Sequence, residues 1–83
     1  MKADTFENLV QISHEAMVEN HYDAAYHTLA AAYSLARDEQ NAQHLHTVER
    51  LAREQLKWLD EHAPNYEQSS HLRTLISQAS SEQ

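Results

Sequence analysis

Glycine is absent from this chain and proline occurs once, at Pro64. These two residues most often mark tight turns and strand ends, so the chain offers few places for β-hairpins. Residues 22–36 instead carry a continuous apolar side at helical spacing. Its members are Tyr22, Ala25, Tyr26, Leu29, Ala32, Tyr33 and Ala36. The sequence therefore predicts an all-α protein organised by helix–helix packing.

Apolar periodicity and capping residues predict four helices. Asp4 is a candidate N-cap of the first helix, and Asn20 suits the left-handed conformation that often ends a helix. Asp38 or Asn41 is placed to cap the third helix, and Pro64 stops it. The predicted helices cover about residues 5–19, 22–37, 41–63 and 66–79. We expect an up-and-down bundle of three helices plus a short fourth helix at the C-terminal end.

The length and charge of the chain limit what it can bind. Its 83 residues make one domain, 1–83, with a small margin of stability. The formal net charge is -7, from 13 acidic against 6 basic side chains, which disfavours phosphate backbones and anionic lipid. We therefore expect no nucleic acid and no membrane among its partners. Cysteine is absent, and neither a signal peptide nor a membrane-spanning apolar run is found, which favours a cytoplasmic location.

The third predicted helix has a wider apolar surface than one neighbouring helix can cover. Leu51 and Trp58 lie seven residues apart on the flank of its main apolar side. We expect the C-terminal segment to cover this flank, with Tyr66 folding back on Trp58, or the flank to be an interface. The tyrosines of the second helix are expected to pack in the core, with a partner-binding groove as the alternative. The candidate partner-binding residues are Leu51, Trp58, Tyr66, Tyr26 and Tyr33.

Basic and acidic side chains alternate along the third predicted helix. Arg50, Arg53 and Lys57 share one side of it, roughly opposite its main apolar side. Glu49 precedes Arg53 by four residues, and Glu54 follows Arg50 by four. Pairs at this spacing predict a salt-bridged solvent surface, with a docking patch for an acidic partner as the alternative.

Seven histidines are the one unusual feature of the composition. No two of them have the i, i+3 or i, i+4 spacing that lets two ligands on one helix reach the same ion. Asp23 and His27 have this spacing, but a lone pair is typical of a solvated helix surface. We predict no metal site and no cofactor. The histidines are His14, His21, His27, His44, His46, His62 and His71.

We predict that the protein is not an enzyme. A catalytic site needs a nucleophile or a base held beside an orienting group, and the sequence shows no such arrangement. Glu15, Glu19 and Asp23 lie at polar helix positions, where a solvated side chain is the ordinary case. The serines cluster near the C-terminal end, where helix capping explains them, and a phosphate-binding loop of the usual kind requires glycine.

The segment of about residues 6–39 resembles a tetratricopeptide-type helical hairpin. The residues that carry the resemblance are Leu9, Ile12, Ser13, Tyr22, Asp23, Ala24, Ala25, Leu29 and Ala32. Ser13 stands where glycine is commoner, Ala16 stands where an aromatic residue is usual, and no proline follows near Arg37. With the third helix as its partner, the hairpin is also similar to the three-helix microtubule-interacting-and-transport domain. The resemblance to tetratricopeptide repeats implies a groove that receives a partner helix or peptide.

Composition, periodicity and resemblance together favour a binding protein. We expect a non-catalytic protein–protein interaction or self-association module, whose partner is another protein or a second copy in a homodimer. The alternative is a histidine-rich module that responds to metal or pH, because histidine titrates near neutrality.

Overall fold

A computed structural model describes residues 2–66 and 68–81, and the side chains of 5–66 and 69–81. The described residues form helices joined by short turns, and no strand is found among them. The protein is therefore an all-α bundle with a short C-terminal helix, as the sequence predicts. The helices are α1 (Lys2–Val18), α2 (Tyr22–Asp38), α3 (Ala42–His62) and α4 (Gln68–Ser81).

The four helices form two hairpins that lie side by side. α1 packs on α2, and α3 packs on α4, while α2 and α3 join the two pairs. α1 also contacts α3, and α2 contacts α4, but within the described ranges α1 and α4 do not meet. The molecule is correspondingly flat, measuring 34 × 25 × 14 Å along its principal axes. α2 and α3 are thus the inner helices, and α1 and α4 the outer ones.

The turn between α1 and α2 is built on a residue in the left-handed conformation. Asn20 has a φ of 66° and donates its backbone N–H to the carbonyl of Met17 at 3.0 Å. The N–H of His21 reaches back to the carbonyl of Ala16 at 2.8 Å. These two bonds satisfy carbonyls at the end of α1 and define a Schellman motif. The predicted turn at Asn20 is therefore present in this form.

The turn between α2 and α3 repeats this geometry. Gln40 has a φ of 51° and donates to the carbonyl of Arg37, and the N–H of Asn41 bonds to the carbonyl of Ala36. The Asn41 side chain then accepts the backbone N–H of His44 at 3.1 Å and so caps α3. Of the two predicted caps, Asn41 is the one used, since Asp38 belongs to α2.

The start of α1 differs from the prediction. The helix begins at Lys2, so Asp4 lies within its first turn rather than ahead of it. An acidic residue in the first turn also interacts favourably with the helix dipole, so the sequence signal does not separate the two positions. The Asp4 side chain itself lies outside the described residues.

The core lies along the apolar side of α2 and between the two inner helices. Alanines on α2 let neighbouring helices approach closely, because their side chains are small. Leu29, Leu59 and Leu72 are almost completely buried, one on each of α2, α3 and α4. Two polar side chains are also buried in the described part of the chain, Ser13 on α1 and Gln55 on α3.

Candidate functional site

Two cavities follow one another along the line where α1 passes α3. The first, of about 350 Å³, lies near the start of both helices, and the second, of about 140 Å³, lies further along them. We call the two together the α1–α3 groove. The first cavity is lined by Phe6, Glu7, Val10, Gln11, His44 and Thr47. The second is lined by His14, Met17, Val18, Leu51, Glu54, Gln55 and Trp58.

Helical spacing explains why these residues share one side. On α1, Glu7, Gln11, His14 and Val18 are separated by three or four residues, so their side chains project from one side of the helix. The groove residues of α3 are spaced in the same way. They are His44, Thr47, Leu51, Glu54 and Trp58. Residues of both rows line the same two cavities, so the two rows face each other across the groove.

Trp58 is the largest side chain of the second cavity and is held in a fixed orientation. Its indole is half-buried and stacks on the imidazole of His62, with ring centroids 4.3 Å apart and planes 12° apart. Nδ1 of His62 lies 2.9 Å from the carbonyl oxygen of Trp58, which anchors the stack to the helix backbone. The indole Nε1 is buried and has no hydrogen-bond acceptor among the described residues.

A polar link runs beneath the second cavity. Gln55 Nε2 donates a hydrogen bond to Ser13 Oγ at 2.6 Å, and Ser13 Oγ donates to the carbonyl of Ala25 at 2.6 Å. These two bonds join α3, α1 and α2. Gln55 is only 2% exposed, and its Oε1 finds no donor in the described part of the chain. Two residues that line the second cavity, Gln55 and Trp58, thus each carry a buried polar atom without a hydrogen-bond partner among the described residues.

The first cavity is closed on one side by a stacked ring pair. Phe6 and His44 lie parallel, with centroids 3.8 Å apart and planes 5° apart. Nδ1 of His44 is 4.0 Å from a carboxylate oxygen of Glu39 in the preceding turn. The ring stack ties the first turn of α3 to α1, and the contact with Glu39 ties it to the turn that precedes α3.

The groove carries negative charge. Glu7 and Glu54 line it, and its described lining includes no lysine or arginine. The stretch 3–36 has acidic residues but neither lysine nor arginine, so α1 and α2 bring no cation except at their ends. On α3, Arg53 pairs with Glu49 at 2.9 Å and Arg50 pairs with Glu54 at 3.6 Å, while Lys57 is exposed. The predicted salt-bridged surface is therefore present, and one of its carboxylates also borders the groove.

The structure brings Leu51 and Trp58 together in the second cavity. The sequence left two possibilities for this flank, cover by the C-terminal segment or an interface, and the structure shows that Met17 and Val18 of α1 line the same cavity. Leu51 is 7% exposed and forms part of the buried core, while Trp58 remains half-buried. α4 packs on α3 and α2.

Tyr66 packs on the start of α2, whereas Trp58 stacks on His62. The Tyr66 ring packs edge-on against Tyr22, with centroids 5.2 Å apart, and its hydroxyl donates to the carboxylate of Asp23. These contacts tie the segment after α3 to the start of α2. Tyr66 therefore lies on the α2–α4 side of the molecule, away from the α1–α3 groove.

The two remaining candidates of α2 lie apart from the groove as well. Tyr26 is half-buried, with its ring 5.5 Å from that of His71 on α4. Tyr33 is 6% exposed, and the Arg37 guanidinium lies 5.5 Å from its ring centroid. The five candidates are thus divided between the groove, the α2–α4 side and the core, so they do not form one surface.

Sequence reasoning missed the α1 half of the groove. His14, Met17 and Val18 line the second cavity, and Val18 is 51% exposed. A signal was present, because Glu7, His14 and Val18 share one side of α1. Nothing in the local pattern states which helix that side meets.

Neither a metal centre nor a membrane span emerges from the described residues. No group of three or more histidine, cysteine or acidic side chains converges there so as to hold an ion. Within the same residues, no helix combines the length and the hydropathy required to cross a lipid bilayer.

No known protein family matches this chain, and neither a curated protein nor a solved structure shows significant similarity to it. The fold and the site together define a four-helix α protein with an acidic, partly apolar groove between its first and third helices.

Proposed function

We propose that the protein is a non-catalytic protein–protein interaction module that binds a segment of another protein in the α1–α3 groove. One observation carries the proposal. A half-buried tryptophan lies beside a largely apolar cavity, and its buried indole N–H has no acceptor among the residues that the structure describes. Tryptophan is enriched at the energetic centre of protein interfaces, and an unpaired buried donor in a native structure calls for an explanation.

The packing order supports a tetratricopeptide-like arrangement, which we include in the proposal. In stacked hairpins each unit contacts the next, and the first helices of adjacent hairpins form one shared surface. Here α1 and α3 are those first helices, and the outer helices do not meet within the described residues. A groove between first helices is open along its length, which suits a helical or extended segment.

The rigidity of the groove also favours binding. Trp58 is held by His62, and the base of the cavity is fixed by the bonds from Gln55 to Ser13 and from Ser13 to Ala25. A binding surface whose side chains are already ordered loses less conformational entropy when a partner arrives.

Site-specific photo-crosslinking tests the proposal with a control on the same helix. Val18 and Ile12 are both apolar residues of α1, 51% and 49% exposed, but only Val18 lines the groove. A photoreactive phenylalanine analogue is placed at one position or the other, and the protein is irradiated in a lysate of its source cells. We expect covalent adducts of discrete mass from position 18 and not from position 12.

The adduct mass also identifies the class of partner. An adduct of twice the chain mass would show that the groove binds a second copy, as in the homodimer expected from the sequence. Adducts that form equally from both positions, or from neither, would show that the groove is not a docking surface.

A further inference from the structure

We propose that the segment bound in the α1–α3 groove is a cationic amphipathic helix, an inference that rests on the function proposed above and specifies its partner. The groove has the shape of a trough between two parallel helices. At about 1.5 Å per residue, the helix from His44 to Trp58 is about 21 Å long, which corresponds to four turns of an occupant. The groove is therefore long enough to accept a helix along its whole length.

The occupant is anchored at two apolar positions along the groove. Val10 lines the first cavity, and Val18 with Leu51 lines the second. Val10 and Val18 are about 12 Å apart along α1, which matches two turns of a bound helix. Apolar side chains of the occupant at positions i and i+7 or i+8 would thus enter the two cavities.

The charge of the groove determines which residues are expected on the polar side of the occupant. Glu7 borders the first cavity and Glu54 borders the second, and the described lining offers no lysine or arginine to an acidic partner. Glu54 already contacts Arg50, but both side chains are more than half exposed, and exposed ion pairs are weak. Lysine or arginine on the occupant can therefore pair with both carboxylates, and the field of the chain attracts them.

A second copy of this chain does not have the required chemistry. Each copy has a formal charge of -7, so two acidic grooves and their surroundings repel one another. On α3, Arg50 and Arg53 contact acidic residues of the same helix, and on α4 Arg73 lies 4.0 Å from Asp60 of α3. Lys57 of α3 is exposed, but one lysine does not supply cations for both Glu7 and Glu54. The partner that fits the groove is thus a different protein, with a helix whose apolar side is flanked by lysine or arginine.

The single tryptophan gives a direct measurement, because Trp58 is the only indole in the chain. The probe is a tryptophan-free peptide of about 16 residues with leucines at helical spacing and lysines elsewhere. The matched peptide carries glutamate at every lysine position. We expect the lysine peptide to cause a saturable change in Trp58 emission that weakens as salt is raised, and the glutamate peptide to cause none.

Paired variants separate the groove from the general charge of the protein. Glu7→Gln with Glu54→Gln removes two charges from the groove, and Asp38→Asn with Asp60→Asn removes two exposed charges that do not line it. We expect the groove variant to weaken binding of the lysine peptide about fivefold or more, and the control variant to weaken it less than about twofold. Circular dichroism confirms that both variants are folded.

Reversing the two charges of the groove gives an independent test. Glu7→Lys with Glu54→Lys is expected to exchange the preference, so that the glutamate peptide binds and the lysine peptide does not. Equal weakening by the groove and control variants, or equal affinity for both peptides, would overturn the cationic occupant. Adducts at position 18 with partner segments that lack lysine and arginine would also overturn it, yet they would leave the proposed docking function standing.

Discussion

At the residue scale, the two buried polar side chains have the clearest structural role. Ser13 accepts from Gln55 and donates to the carbonyl of Ala25, so one hydroxyl joins three helices. Removing one partner from a buried hydrogen bond leaves the other unsatisfied, and that penalty exceeds the net gain from the bond itself. Ser13 and Gln55 therefore set the relative position of α1 and α3, and with it the shape of the groove.

A double-mutant cycle measures this link. Ser13→Ala is expected to lower the free energy of unfolding by about 1–3 kcal/mol, because Gln55 Nε2 loses its acceptor in a buried site. Gln55→Met replaces the amide with an apolar side chain of similar length. In the double variant we expect a loss smaller than the sum of the single losses by about 1 kcal/mol. Urea unfolding followed by circular dichroism gives the values, and strict additivity would contradict the coupling.

These two polar residues also show which part of the structure could not be predicted from the sequence. The apolar stripe of α2 could be predicted, because alanine, leucine and tyrosine recur at helical spacing and are then found buried or half-buried. Gln55 could not, since periodicity assigns a glutamine to the solvent unless a partner is known. Its partner Ser13 is 42 residues away along the chain, and only the tertiary structure brings the two together.

At the element scale, the two inter-helix turns have the same geometry but different residues at the left-handed position. Asn20 could be predicted there, because asparagine tolerates positive φ better than other non-glycine residues. Gln40 could not, since glutamine has no such preference. The bounds of α2 and α3 follow from the turns, so each end is defined by backbone hydrogen bonds as well as by side-chain pattern.

The conformation of Gln40 predicts a stabilising substitution. Gln40→Gly is expected to raise the free energy of unfolding by about 0.5–1 kcal/mol, because glycine adopts a φ of 51° without strain from a β-carbon. The matched control is Gln11→Gly, which places glycine in the interior of α1 and should lower stability by about 1 kcal/mol. Thermal unfolding of the two variants shows whether Gln40→Gly raises the stability and Gln11→Gly lowers it. A loss of stability in Gln40→Gly would be inconsistent with the described turn.

The sequence predicts that α3 has more than one neighbouring helix, but it does not predict which helices these are. The separation of Leu51 from the main apolar side indicates that α3 contacts more than one helix, which the structure bears out. Local pattern does not specify which helix covers which flank, because several helices have comparable apolar surfaces. The identity of the groove as an α1–α3 feature therefore depends on tertiary contacts that no single helix encodes.

At the scale of the whole molecule, the arrangement of two adjacent hairpins matters more than the number of helices. An up-and-down order of four antiparallel helices is compatible with a closed ring of contacts and with an open one. In the described residues the ring is open, since α1 and α4 do not meet. The sequence predicts the helices and their order. The choice between a closed and an open ring of helix contacts depends on which helix surfaces bury the most area against each other.

This open arrangement has a consequence for how the protein loses its structure. In an assembly held by nearest-neighbour contacts, the outer members detach before the inner ones. We expect backbone amides midway along α1 and α4, such as those of Val10 and Leu75, to exchange with deuterated solvent at least about tenfold faster than those of Ala32 and Ala52. Native-state hydrogen exchange measured by nuclear magnetic resonance gives these rates. Uniform protection across all four helices would instead mean that the two hairpins open as one cooperative unit.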